Sequence, residues 1–96
     1  MHVTLDQARA LDAFARTGTF QAAAKELHKV HTAVLYALKQ LESQTGLELF
    51  DRSGYRTKLT PSGEQVLSRA RRLLDAEREL VATCAELKSG WEPVLK

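Results

Sequence analysis

Between Thr19 and Gly63 the residue pattern switches from helical to strand spacing and back, and no other feature limits the possible folds as tightly. Thr19 is a good N-cap, and Phe20, Ala23, Ala24 and Leu27 then fall on one side of a helix of about eight residues. A helix that short is not stable alone and must pack against neighbours. Leu27-His28-Lys29-Val30 forms a three- to four-residue turn, the spacing of a helix-turn-helix. Ala24 is small enough to let the flanking backbones approach. His28 stands where such a turn often needs a positive φ, which histidine tolerates better than most residues. A third helix is expected from His31 to Thr45, with Gly46 as its stop. Val34, Leu38 and Leu41 make its buried stripe, while Thr32, Tyr36, Lys39 and Ser43 point the other way and His31 and Leu35 lie on the flank. Leu49–Arg52 and Thr57–Thr60 then read as two short strands around the loop Ser53-Gly54-Tyr55-Arg56. Thr60-Pro61 is a capping hydroxyl followed by proline at a first helical position. Two short helices about a tight turn, a hairpin and a new helix start are the parts with which proteins set one helix into the major groove of DNA.

The flanks complete the unit. Leu5 to Thr17 is expected to be a first helix, with Thr4 and Gln7 spaced as a capping box, Leu5, Ala8, Leu11, Phe14 and Ala15 on one face, and Gly18 at its end. The fourth helix is long, about Pro61 to Ser89, or about 40 Å at ~1.5 Å per residue. Val66, Ala70, Leu73, Glu77, Leu80, Cys84 and Leu87 alternate four and three residues apart, a heptad seam interrupted once by Glu77; Leu67, Leu74 and Val81 widen it. So small a domain cannot bury all of that stripe, which implies a partner helix, most simply from a second copy of the chain. The alternative is that the helix folds back on helices one to three. Ser89-Gly90 reads as a break, and the residues from Trp91 on read as the beginning of something else. The expected organisation is a mainly α winged helix-turn-helix over 1–60 (three helices plus a two-stranded wing), a long C-terminal linker helix over 61–89, and the start of a further domain over 90–96.

Charge and composition narrow the function classes. The net charge is only +2, but Arg52 to Arg72 holds six basic residues (Arg52, Arg56, Lys58, Arg69, Arg71, Arg72) against Glu64 alone. That segment carries +5 and the remainder −3, a local patch suited to a docked polyanion. A solvated helix face is the alternative for Arg69, Arg71 and Arg72. No apolar run approaches the ~20 residues of a membrane span, and the N-terminus lacks the pattern of a signal peptide. Cys84 is the single cysteine and cannot form an internal disulfide, so a cytoplasmic location is the default expectation. His2, His28 and His31 have no metal-ligand spacing with a cysteine pair. No phosphate loop or Ser–His–Asp set is present, so no catalytic residue, metal or cofactor is expected.

Together these residues resemble the LysR-type transcriptional regulators over about Leu5 to Lys96. The strings that carry the resemblance are Gly18-Thr19-Phe20-Gln21-Ala22-Ala23-Ala24, Gln40-Leu41-Glu42, Leu49-Phe50-Asp51-Arg52 and Leu59-Thr60-Pro61-Ser62-Gly63-Glu64. The resemblance implies the DNA-binding part of a bacterial regulator that is dimeric through its linker helix, with a tetramer open for the full-length protein. In the family a larger effector-binding domain normally follows. The chain stops where that domain would begin, so a fragment of a longer regulator is expected, with a small-molecule effector only for the missing domain and no membrane partner. The third helix departs from the commonest family pattern of Ser, Gln and Ser at its start and Ser then Arg one turn on. The matching positions here carry Val30, His31, Thr32, Leu35 and Tyr36.

The third helix should then lead with its N-terminal end into the groove of double-stranded DNA. Thr32 can bond a base edge or meet a thymine methyl, Leu35 offers apolar contact only, and Tyr36 offers one hydroxyl. His31 could donate to a phosphate or an acceptor base edge, and Lys39 suits a phosphate. Thr19 and Gln21, at the start of helix two, could meet a phosphate, although a plain cap is the favoured role for Thr19. Arg52, Arg56 and Lys58 surround the wing, with Arg56 best placed for a narrow A·T-rich minor groove. Arg52 has an alternative role in tying the hairpin to Asp51 or Glu48. Val66, Ala70, Leu73, Leu74, Leu80, Val81, Cys84 and Leu87 are the expected dimer contacts, Cys84 as a small hydrophobe. A competing reading is a winged-helix module that binds protein through Leu35 and Tyr36 and never DNA.

Overall fold

A computed structural model describes residues 1–91, with side chains through residue 89. Helices α1 (Leu5–Thr17), α2 (Phe20–Leu27) and α3 (His31–Thr45) precede strands β1 (Phe50–Asp51) and β2 (Lys58–Leu59) and the long helix α4 (Pro61–Glu86). The expected mainly α winged helix-turn-helix with a long final helix is the fold observed. Expectations for the Trp91 side chain and for 92–96 lie outside the described residues.

Helices α1, α2 and α4 each start where a threonine hydroxyl can satisfy a free N–H group. The Thr4 hydroxyl accepts from the Gln7 backbone N–H at 3.1 Å and the Gln7 side chain accepts from the Thr4 N–H at 3.0 Å, a closed capping box. The Thr19 hydroxyl accepts from the Ala22 N–H, and the Thr60 hydroxyl from the Gly63 N–H. Gly18 ends α1 at φ 90°, where a side chain would strain the backbone.

The core is organised around α1. Leu11, Leu38, Leu41, Leu49 and Val34 are its largest fully buried side chains. All three phenylalanines meet in one cluster: Phe14 stacks on Phe20 at 4.7 Å between centroids and meets Phe50 edge-on at 5.2 Å. The cluster fastens β1 to the α1–α2 corner, so aromatic contact does for the wing what so short a sheet cannot do alone.

The wing is shorter than the expected four-residue strands. Only Phe50–Leu59 and Asp51–Lys58 are paired, antiparallel. Asp51 turns the chain at once, its carboxylate accepting from both the backbone N–H (2.9 Å) and the hydroxyl (2.6 Å) of Ser53. At the other end the Glu42 carboxylate accepts from the N–H groups of Leu49 (2.8 Å) and Phe50 (3.3 Å), a side-chain cap in place of a further strand.

Helix α4 divides into two halves. Leu67, Ala70 and Leu74 are buried against the rest of the same chain, and Val66 is partly buried there. Val66, Ala70 and Leu74, expected at a dimer seam, thus lie wholly or partly within the chain's own packing, and the heptad seam begins at the α1–α4 contact. Two ion pairs hold that contact, Arg9 to Glu77 at 2.6 Å and Arg71 to Asp12 at 2.8 Å. Glu77, the one polar position in the seam, is thereby satisfied. Beyond it Leu80, Val81, Cys84 and Leu87 are exposed. The helix also does not break at Ser89-Gly90. A single π-helical turn, Leu87–Trp91, continues it, and the Ser89 hydroxyl donates to the Ala85 carbonyl at 3.0 Å. One glycine costs a helix only about 1 kcal/mol, too little to end it.

Asp12 is 8% exposed yet ionised between two guanidiniums. Burial opposes its charge, but hydrogen bonds from Arg71 and Arg16 outweigh burial and hold the carboxyl below its ordinary value of 3.8. A depressed folded-state pKa contributes stability that is present above the unfolded value and lost as pH falls through the folded one. Urea midpoints of the wild type should therefore drop relative to those of Asp12→Asn as pH falls below about 4. A constant gap between the two proteins across that range would refute this role for Asp12.

Candidate nucleic-acid interface

The turn that sets α3 on the surface is local chemistry. His28 takes the left-handed conformation (φ 57°, ψ 41°) and is the only non-glycine residue with positive φ among those described. Its N–H donates to the Lys25 carbonyl, and the Lys29 N–H donates to the buried Ala24 at 2.9 Å. The reversed chain then starts α3 at His31 after the N-cap position Val30, which supplies no side-chain cap. The Ala33 N–H donates to the Val30 carbonyl at 3.0 Å, so the N–H groups of His31 and Thr32 are the ones left for solvent or a docked anion.

Val34, Leu38 and Leu41 bury one face of α3, so the opposite face is fixed in direction by the core. That face carries His31, Thr32, Tyr36, Lys39 and Ser43, all exposed, with Tyr36 at 66%. Leu35 is only half-exposed. Gln40, one turn beyond Tyr36, donates its side-chain amide to the Tyr36 hydroxyl at 3.1 Å.

The wing adds cations beside α2. The Arg52 guanidinium lies over Phe20 at 5.9 Å and over Phe50 at 5.7 Å. It forms no ion pair with Asp51 or Glu48 among the described residues, and Asp51 accepts from Ser53. The two rings restrain the guanidinium without neutralising it. Since Phe20 follows Thr19 and precedes Gln21, the structure brings Arg52 to the start of α2, where Thr19 is engaged as a cap and Gln21 is exposed. Arg56 and Lys58 are exposed along the hairpin, and Tyr55 at its loop is fully exposed (101%). The six-cation segment divides: Arg71 is committed to Asp12, while Arg69 and Arg72 are exposed on α4.

Gln40 and Tyr55 lie at this surface although neither belongs to the expected site set. Helical spacing of four between Tyr36 and Gln40 was the available signal for the first. Nothing in the sequence distinguishes a solvent-facing loop tyrosine from a packed one.

Comparison with known proteins agrees with this geometry. Residues 5–64 match the family model described as the bacterial regulatory helix-turn-helix protein, lysR family. The probable HTH-type transcriptional regulator YhaJ of Escherichia coli (strain K12) is 44% identical over 90 residues, covering 94% of this chain. The chain spans about 30% of that relative's length. The BenM DBD in complex with catB site 1 DNA superposes with a TM-score of 0.85 at 25% identity, covering 91% of this chain and 98% of the other. Vibrio fischeri DarR in complex with DNA superposes at 0.84 with 26% identity, covering 92% and 30%.

Proposed function

This chain belongs to the lysR family of bacterial regulatory helix-turn-helix proteins, and from that membership we propose that it is the sequence-specific DNA-binding module of a dimeric regulator. Helix α3 enters the major groove, and the wing lies on the backbone or minor groove. The observation that carries this reading is the outward face of α3, uncovered by the chain itself, beside a wing whose Arg52, Arg56 and Lys58 form no close ion pair among the described residues. The DNA complexes of BenM and DarR support it.

In this reading His31, Thr32, Leu35, Tyr36 and Lys39 face the groove and its phosphates, with Leu35 the smallest contributor because half of it is already covered. Thr19, Gln21 and Arg52 meet the backbone at the start of α2. Two copies pair through Leu73, Leu80, Val81 and Cys84 of α4 and Leu87 of the π-helical turn, all exposed on one protomer. The module binds rather than catalyses, and a cytoplasmic location suits it. No effector is assigned to these 96 residues. Protein docking through Leu35 and Tyr36 is the weaker reading, since partial burial of Leu35 shrinks the apolar patch and the wing cations would have no role.

A salt titration on duplex DNA tests the proposal. The logarithm of the affinity should fall linearly with the logarithm of salt, with slope about −0.9 per phosphate neutralised. Arg56→Ala should weaken binding to selected and random duplexes alike and reduce that slope by about 1. A dimer that binds no duplex even at low salt would refute the reading.

A further inference from the structure

We propose that Gln40 is a positioning residue that fixes Tyr36 as a hydrogen-bond donor toward DNA, so that Tyr36 selects acceptor-bearing base edges. The inference rests on the reading that α3 faces duplex DNA and deepens it.

A phenol oxygen has one proton to donate and lone pairs to accept with. The Gln40 amide donates to that oxygen at 3.1 Å, the only hydrogen bond of the Tyr36 hydroxyl among the described residues. The lone pair facing along the helix is therefore occupied, and the O–H is turned away from Gln40. Residues four apart on a helix share a face, so the pair forms without bending α3 and is present before docking. Free tyrosine can present either a donor or an acceptor by rotating its O–H; this one is held in one polarity.

That polarity has consequences in the major groove. Guanine N7 and O6, thymine O4 and adenine N7 accept; cytosine N4 and adenine N6 donate. A Tyr36 held as donor favours the first group and is mismatched against an amino group, where a buried donor would be left unpaired. The Leu35 and Thr32 neighbours have no such directional preference: one is apolar, and the other's hydroxyl rotates freely.

The test is selection of duplexes from a random pool by the 96-residue chain and by Tyr36→Phe, Gln40→Met and Gln40→Glu, followed by titration on the selected duplex and its single-base-pair variants. Discrimination is a ratio between duplexes, so a uniform change in affinity cancels. Tyr36→Phe should lower discrimination at one base pair of each half-site by roughly 2- to 12-fold, the range of one net hydrogen bond. Gln40→Met keeps length and helix propensity but removes the donor, and should relax the same base pair. Gln40→Glu can only accept, turns the phenol proton inward, and should shift that base pair toward an amino-bearing edge. Wild-type preference retained in Gln40→Met while Tyr36→Phe relaxes it would overturn the role of Gln40. Preference unchanged in both would place the Tyr36 hydroxyl on a phosphate and overturn the inference as a whole. Failure of the wild type to select any duplex would instead defeat the DNA-binding reading beneath it.

Discussion

Gly63→Ala should destabilise the protein by about 2–4 kcal/mol, with its urea midpoint well below that of the wild type. The sign is the informative part. Glycine inside a helix ordinarily costs about 1 kcal/mol relative to alanine, so the same change at an open helical position would stabilise. At residue 63 an added Cβ would lie 2.3 Å from the Leu49 carbonyl oxygen and 3.2 Å from both the Leu49 carbonyl carbon and Leu59 Cδ2. The oxygen belongs to the backbone and cannot swing aside as a side chain would. It also accepts the Thr60 N–H at 3.0 Å, the bond that closes the wing against the start of α4. Relief of the clash therefore moves β1 and breaks that bond. Overpacking of this kind typically costs about 1–3 kcal/mol, and a lost hydrogen bond adds about 1. Ser68→Ala, exposed in the same helix, is the control and should be neutral or slightly stabilising. A Gly63→Ala midpoint at or above the wild-type value would refute the close approach.

Features decided by neighbouring residues were legible in the sequence. Thr4 with Gln7, Thr19 and Thr60 cap their helices as their positions predict, and His28 adopts the left-handed conformation its place in the turn requires. The apolar stripe of α3 is the buried one, so the outward set Thr32, Tyr36, Lys39 and Ser43 could be named before the fold was known. What was not legible depends on which distant group arrives. A heptad repeat states that a stripe will be covered, not by what. Ala70 and Leu74 are covered by the chain itself, whereas Leu80 and Leu87 are left bare. Arg52 has acids near it in sequence, yet its guanidinium lies over Phe20 and Phe50, rings that only the tertiary fold brings beside it. Glu42 reads as a surface acid of α3; only tertiary structure brings the N–H groups of Leu49 and Phe50 to its carboxylate.

Leu80→Asp should convert the proposed dimer to monomer without unfolding it, and so separate assembly from folding. Leu80 is 63% exposed on one protomer, with Val81 and Leu87 similarly bare. Leu80 is not among the residues packed on the core, and aspartate there lowers helix propensity by no more than about 0.7 kcal/mol. In a two-fold dimer the same change occurs twice, placing two carboxylates against an apolar seam with no cation provided for them. Sedimentation should report half the wild-type mass, and thermal melting at high protein concentration should still show a cooperative transition. The effect on DNA follows from geometry. A dimer binds its second half-site intramolecularly, which raises overall affinity by about 10²- to 10⁴-fold over one module alone. Leu80→Asp should lose that factor on a two-half-site duplex while changing little on a single half-site. Leu74→Asp, six residues earlier on the same helix but buried, should instead unfold the protein. An unchanged mass for Leu80→Asp would mean that the exposed half of α4 is not the seam; loss of half-site binding along with the mass would mean that α4 supports the fold of the reading domain rather than its pairing.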